Sequence, residues 1–408
     1  MLSVTGMPPP QQPLLKPVLL GVAFFSFVSI GLQGGALSVA WLHMQETFGK
    51  TLESLGILLG VMTAGGLVVN FLGGRIMGRI GIGWFCLLGG LSGALGLLIT
   101  GTTTNWNGLI FAALLIGVGR AGINTGVNTF VAHRYATSRM NWLHAVFGLG
   151  SALGPLLVTF IAIELARPWQ LSYLILAGVH LSVTALFTVT LNHWRFATDQ
   201  SEDGAKARGP GIGASLSLLP VWLGIALFVS HTGIQLSTGQ LTNNLFVEGR
   251  GIDPRVAGIW ISLFWGFITL GRLLFGPIID RVGAAPVLRA CTLGTVLGAT
   301  LLWWNPVETV SFLGLALMGF TIAPVFPTSV SRTPGLVGLE HAPNAIGFQM
   351  AGAALGTALL PGLVGFVSDH LGLALIPPCL VLIALAQFTI HELVTRQETR
   401  QRKAHGPA

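Results

Sequence analysis

Arg120 poses the sharpest chemical question in this sequence. It falls near the middle of an apolar run at 107–130, and Asn124 and Asn128 follow at i+4 and i+8, on the same helix face. An arginine at the centre of a bilayer costs about 2.5–3.5 kcal/mol on insertion scales, so a partner, a water-filled cavity or a ligand must offset it. All 14 acidic residues lie at run ends, in loops or in tails. Arg120 is therefore expected to face an aqueous cavity as the charge partner of a solute. The alternative is a structural arginine bonded to helix carbonyls or asparagine side chains.

A second polar set, His231, Gln235, Thr238 and Thr242, spans about 60° of a helix turning 100° per residue and predicts a cavity-facing stripe. Gln33 shares a face with Ser26 and Ser29 in the first run, His144 opens the fifth, and Gln349 lies in the eleventh. Such groups bind a polar solute by hydrogen bonding; bonding between helices is the competing use of the same side chains. No enzyme, cofactor or metal is expected. The three cysteines give neither a disulfide framework nor a metal spacing. Gly117-Val118-Gly119-Arg120-Ala121-Gly122 fits Gly-x-Gly-x-x-Gly, but that fingerprint needs a strand before it and a helix start after it. Inside a long apolar helix the glycines read as a packing face.

The elements that must position these residues are membrane helices. The 408 residues are 52% hydrophobic and 9% charged, against about 25% charged in soluble domains. Their 56 glycines suit membrane helices that approach closely. Twelve apolar runs have spanning length: 17–42, 53–74, 82–101, 107–130, 141–163, 169–191, 217–245, 255–278, 284–304, 308–330, 343–367 and 371–391. Pro324 and Pro327 predict a bend in the tenth. The expected organisation is a disordered tail at 1–16, a six-helix bundle at 17–192, a polar cytoplasmic linker at 193–214, a second bundle at 215–392 and a basic tail at 393–408. With both termini placed in the cytoplasm, fifteen Lys and Arg fall on the inner side and four on the outer, the asymmetry that sets orientation. The net charge of +7 thus sits beside a bilayer and implies no nucleic acid.

The chain is also duplicated at an offset of 202 residues. Gly74-Arg75-Ile76-Met77-Gly78-Arg79-Ile80-Gly81 returns as Gly276-Pro277-Ile278-Ile279-Asp280-Arg281-Val282-Gly283. Gly31-Leu32-Gln33 meets Gly233-Ile234-Gln235, Leu115-Ile116-Gly117 meets Leu317-Met318-Gly319, and Gly150 to Gly154 meets Gly352 to Gly356. The charged turn resembles the helix 2–3 signature of the major facilitator superfamily, repeated between helices 8 and 9. That resemblance implies an all-α fold: twelve transmembrane helices in two six-helix bundles related by pseudo-two-fold symmetry. It also implies that Arg272, Asp280 and Arg281 form a charge relay that latches the bundles in one state. A purely topogenic basic loop is the plainer alternative.

Within the superfamily, three pieces are similar to the fucose permease and sodium-dependent glucose transporter branch. They are Gly258-Ile259-Trp260 through Gly271-Arg272, Ala323 to Thr328, and Ile346-Gly347-Phe348-Gln349 leading to Leu360-Pro361-Gly362. The resemblance implies transport of a sugar or similar solute across the cytoplasmic membrane by a monomer that alternates access. A coupling ion, proton or sodium, stays open. Asn124 stands where fucose permeases carry an acid, and Gln235 where many relatives carry Glu. His144 aligns with a substrate-contacting Gln. Three other readings are carried forward: an organic anion bound by Arg120, a drug or metabolite exporter, and a receptor or scaffold that transports nothing.

Overall fold

An α-helix rises 1.5 Å per residue, so the 49 residues of Ser54–Thr102 would run about 74 Å, more than twice the thickness of a bilayer core. Gly81, at φ 82° and ψ 159°, breaks that run. It divides α2 (54–80) from α3 (82–102). The charged turn expected here is thus a kink at one glycine, in a backbone region essentially closed to other residues. Gly283, 202 residues on, takes the same shape at φ 95° and ψ 153°. The duplication is written in the backbone as well as in the sequence.

The computed structural model describes residues 15–135, 137–194 and 211–405. Most of the tail expected at 1–16 and of the linker expected at 193–214 lies outside the described residues. Around α2 and α3 stand α1 Leu15–Phe48, α4 Trp106–Arg134, α5 Thr137–Thr159 and α6 Gln170–Thr190. The second half comprises α7 Leu219–Asn244, α8 Pro254–Val282, α9 Ala284–Trp304, α10, α11 Ala342–Leu371 and α12 Ile376–His405. Helix α10 comes in two pieces, Glu308–Ile322 and Val325–Val337, parted at Ala323 and Pro324, because proline removes an amide donor and crowds the preceding turn. Among the described residues there are twelve crossings and no strand. The basic segment expected as a tail from 393 continues α12 as helix; Glu398 pairs there with Arg332 of α10.

Twelve crossings return the chain to the face where it began, here the near face; the α1–α2 and α11–α12 turns define the far face. Within each half the close contacts are made at glycines. A Cβ on Gly150 or Gly154 of α5 would strike the α1 backbone at Val28 or Leu32. One on Gly356 of α11 would strike the α7 backbone at Val229. Small residues permit such approaches where no hydrophobic force drives helices together. Outward-pointing Phe71, Val189 and Leu382 are largely exposed, as side chains facing lipid are.

The two halves share only part of their packing. One apolar core runs through both halves towards the far face, and includes Trp41, Leu55, Phe246, Phe264 and Leu380. Towards the near face each half keeps a core of its own. Phe27, Phe130 and Trp194 belong to the first; Val221, Ala345 and Val394 belong to the second. The molecule is sealed at the far face and parted at the near face.

Candidate functional site

The seal is built from backbone and polar contacts between halves. Asp369, at the end of α11, accepts hydrogen bonds from the backbone amides of Leu52 and Glu53, at 3.0 and 2.7 Å. Helix α2 has no capping side chain of its own, so an acid from the opposite half satisfies its first donors. A little deeper, a Cβ on Gly56 would strike Gly362 of α11. Asn244 of α7 donates to Gln45 of α1 at 2.5 Å, and Gln240 donates to the Gly34 carbonyl at 3.3 Å. On the other flank Ser262 of α8 donates to the Ala152 carbonyl of α5 at 2.5 Å. Trp265 donates to Ser38 at 3.3 Å, and Arg255 pairs with Glu164 at 2.5 Å. Ser237, Thr238, Thr242 and Asn243 of α7 are buried beside this seal with side-chain oxygens that no described residue bonds.

Below the seal, the expected site residues separate into two groups. Arg120, Asn124 and Asn128 are half-buried on one face of α4, and the Asn128 amide donates to Asn124 at 3.2 Å. The Arg120 guanidinium stacks over Phe147 of α5, 5.6 Å from the ring centre. Gly34 opposite it lacks a Cβ, which would stand 3.8 Å from the guanidinium. His144, one turn before Phe147, is exposed near the start of α5 and meets Phe27 edge-on at 5.6 Å. Gln235 is half-buried and makes no hydrogen bond to a described residue. None of these five is fully buried.

Three others turn into the interior of their own half. Gln33 is 4% exposed. It lines a cavity with Met62, Leu97 and Tyr173, where neither end of its amide finds a partner. His231 is buried and accepts from Gln387 of α12 at 3.1 Å. Gln349 is buried and accepts from Thr333 of α10 at 3.0 Å. The expected α7 stripe is therefore not one surface: His231 faces α12, Gln235 is half-buried, and Thr238 and Thr242 are buried beside the seal. A helix that crosses the whole molecule meets three environments, whatever its angular periodicity. In the first half Ser29, the counterpart of His231 at the 202-residue offset, bonds His180 of α6 at 2.7 Å. Each half thus ties its first and last helices with one polar pair. Sequence reasoning missed His180, Gln387 and Asp369; a lone polar residue within or at the end of an apolar run was the available signal.

Arg272, expected in the charge relay, is half-buried in α8. Asp280 and Arg281 are exposed, and Arg272, Asp280 and Arg281 make no ion pair with one another or with another described residue. Among the described residues no group of three His, Cys, Asp or Glu is placed to hold a metal ion.

Two helical halves sealed at one end, with polar groups where they part, define a membrane transporter of the alternating-access class. The sequence profile of the Major Facilitator Superfamily matches residues 19–223 and again 223–407, and the chain belongs to that superfamily. It is an integral membrane protein and not an enzyme. It is 25% identical to the glucose/mannose transporter GlcP of Bacillus subtilis (strain 168) over 370 residues, covering 85% of this chain and 87% of that one. The nucleoside transporter NupG superposes with a TM-score of 0.74 at 15% identity, covering 93% of this chain and 98% of that one. A bacterial homologue of the human lysosomal transporter Spinster, in an inward-facing and unoccupied conformation, gives 0.75 at 14% identity over 96% and 98%.

Proposed function

We propose that the protein is a secondary transporter of a small, hydroxyl-rich organic solute, a sugar or a close derivative of one. It carries the solute across the cytoplasmic membrane by rocking its two halves. The observation that carries this reading is the division of the core, shared at the far face and separate at the near face; to the parting we assign Arg120, Asn124, Asn128, His144 and Gln235, none of them fully buried. Residues with unused hydrogen-bonding capacity at that place suit a solute that presents many hydroxyls. The glucose/mannose relative supports the same solute class.

Lys and Arg placement supports a cytoplasmic near face, and in that orientation this conformation is open to the cell interior. Closing that face brings the α8–α9 turn of one half towards the other, and Arg272, Asp280 and Arg281 would then act as the latch. Among the described residues no carboxylate lies where the halves part, so a coupling ion would depend on histidine or on backbone oxygens. Counterflow in proteoliposomes tests the reading, with a panel of labelled hexoses, hexose acids and hexose phosphates. Saturable exchange of at least one is expected. A panel that exchanges nothing, from protein of normal melting behaviour, refutes it and leaves the receptor or scaffold reading.

A further inference from the structure

Each half brings one arginine to the parting: Arg120 from α4 of the first, Arg272 from α8 of the second. Both are half-buried, and neither makes a hydrogen bond or ion pair with a described residue. The acids that could have neutralised them are occupied or remote. Glu164, Glu392 and Glu398 pair with Arg255, Arg289 and Arg332, and Asp369 caps α2. Asp280 lies two helical turns from Arg272 and does not reach it.

The arginines converge on one stretch of α5. Arg120 stacks on Phe147, and α8 carries Arg272 towards the same turns of α5. His144 and Phe147 share a helix face one turn apart. The approach of α8 to this stretch is close: a Cβ on Gly148 would strike Thr269, one turn before Arg272. On the other side of Arg120, Gly34 accepts from Gln240 across the boundary between halves. Both guanidinium groups therefore stand where the halves meet, just below the seal.

We propose that the solute carries an oxyanion, a carboxylate or a phosphate, and that Arg120 and Arg272 hold it between the halves. This rests on the transport reading above and names the class within it: a sugar acid or sugar phosphate in preference to a neutral sugar. A planar guanidinium matches two oxygens of a carboxylate or phosphate. A cleft lined by one sign of charge concentrates counter-ions, whereas a neutral hexose would leave both cations unanswered. With one arginine on each half, a single anion also links the two bodies. Binding then favours the arrangement in which both arginines reach it.

The test is side-by-side counterflow of labelled D-glucuronate, D-glucose 6-phosphate and D-glucose, with inorganic phosphate as competitor, for the unaltered protein, R120Q, R272Q and R272K. At least one of the two hexose anions should exchange with a half-saturation about tenfold or more below that of glucose. R120Q and R272Q should each weaken anion exchange about tenfold or more, and by a larger factor than they weaken glucose exchange, with R272K between. Competition by phosphate as strong as by glucose 6-phosphate would assign the grip to the phosphate group; competition by glucuronate alone would assign it to the carboxylate. Either outcome supports the proposal. Glucose exchanging as well as the anions, or anion preference surviving both Gln variants, overturns it and leaves the transport reading standing. No exchange of any solute overturns both. Should R272Q fail to fold, as its melting curve would show, R120Q alone must abolish the anion preference.

Discussion

The Asp369 cap can be broken without touching either half's interior. Its carboxylate belongs to α11, and the amides it accepts from, Leu52 and Glu53, open α2. The bond therefore exists only while the far face is shut. Asp369 is exposed, so its worth is that of a surface cap and not of a buried ion pair. Capping a helix is worth about 0.5–2 kcal/mol, and a negative charge at a helix start adds about 0.3–1 kcal/mol, less in salt. Asp369→Ala should thus weaken the seal by about 1–2 kcal/mol, which multiplies the far-open population by about 5–30. Ser38 reports that population: it is 0% exposed and lies under Trp265 of the other half. In a background with Cys379 replaced (Cys86 and Cys291 are buried), Ser38→Cys should react with an impermeant maleimide only when the far face opens. Asp369→Ala should raise the labelling rate about 5–30-fold, and Asp369→Asn, which keeps an acceptor but no charge, by less. Labelling within twofold of the parent would refute the idea that this cap holds the halves together.

Three further outcomes follow from the same geometry. Gly56→Val places side-chain atoms against the Gly362 backbone; overpacking of about 1–3 kcal/mol should open the far face and speed Ser38→Cys labelling, and unchanged labelling would mean that α2 and α11 do not approach so closely. Gly81→Ala should lower the melting temperature although a Cβ there meets nothing within 4 Å, because a side chain at φ 82° and ψ 159° costs about 1–3 kcal/mol; Gly78→Ala, equally uncrowded in regular helix, is the control that should not. Asp280→Asn should leave the present conformation intact, since Asp280 makes no ion pair in it. If the latch forms only when the near face shuts, its loss should slow Ser38→Cys labelling about 2–5-fold, the worth of a surface ion pair, and faster labelling would place the latch in the wrong state.

The parts legible in the sequence are those that depend on the chain's own periodicity and repetition. Gly81 and Gly283 could be paired by counting, and both hold the same glycine-only backbone. Gly154 and Gly356 could be paired in the same way, and both are helix contacts. Arg120 could be singled out because a charge without an acid inside the membrane leaves few alternatives. What the sequence hid depends on which helix lies opposite. Gln33 and Gln235 occupy matching positions, yet Gln33 is buried inside its half and Gln235 is only half-buried, because the two halves repeat only approximately. His231 belongs to the α7 stripe by angle but to α12 by contact, since Gln387 stands there to meet it. Asp369 reads as an unremarkable loop acid until α2 is brought beside it. Arg272 shows the limit most clearly. Its neighbours in sequence, Asp280 and Arg281, assign it to a latch, whereas its place in the fold, one turn beyond the contact of Thr269 with Gly148 of the other half, suits the proposed solute path. The two assignments are compatible in a transporter, where one residue can meet the solute with the near face open and the latch with it shut.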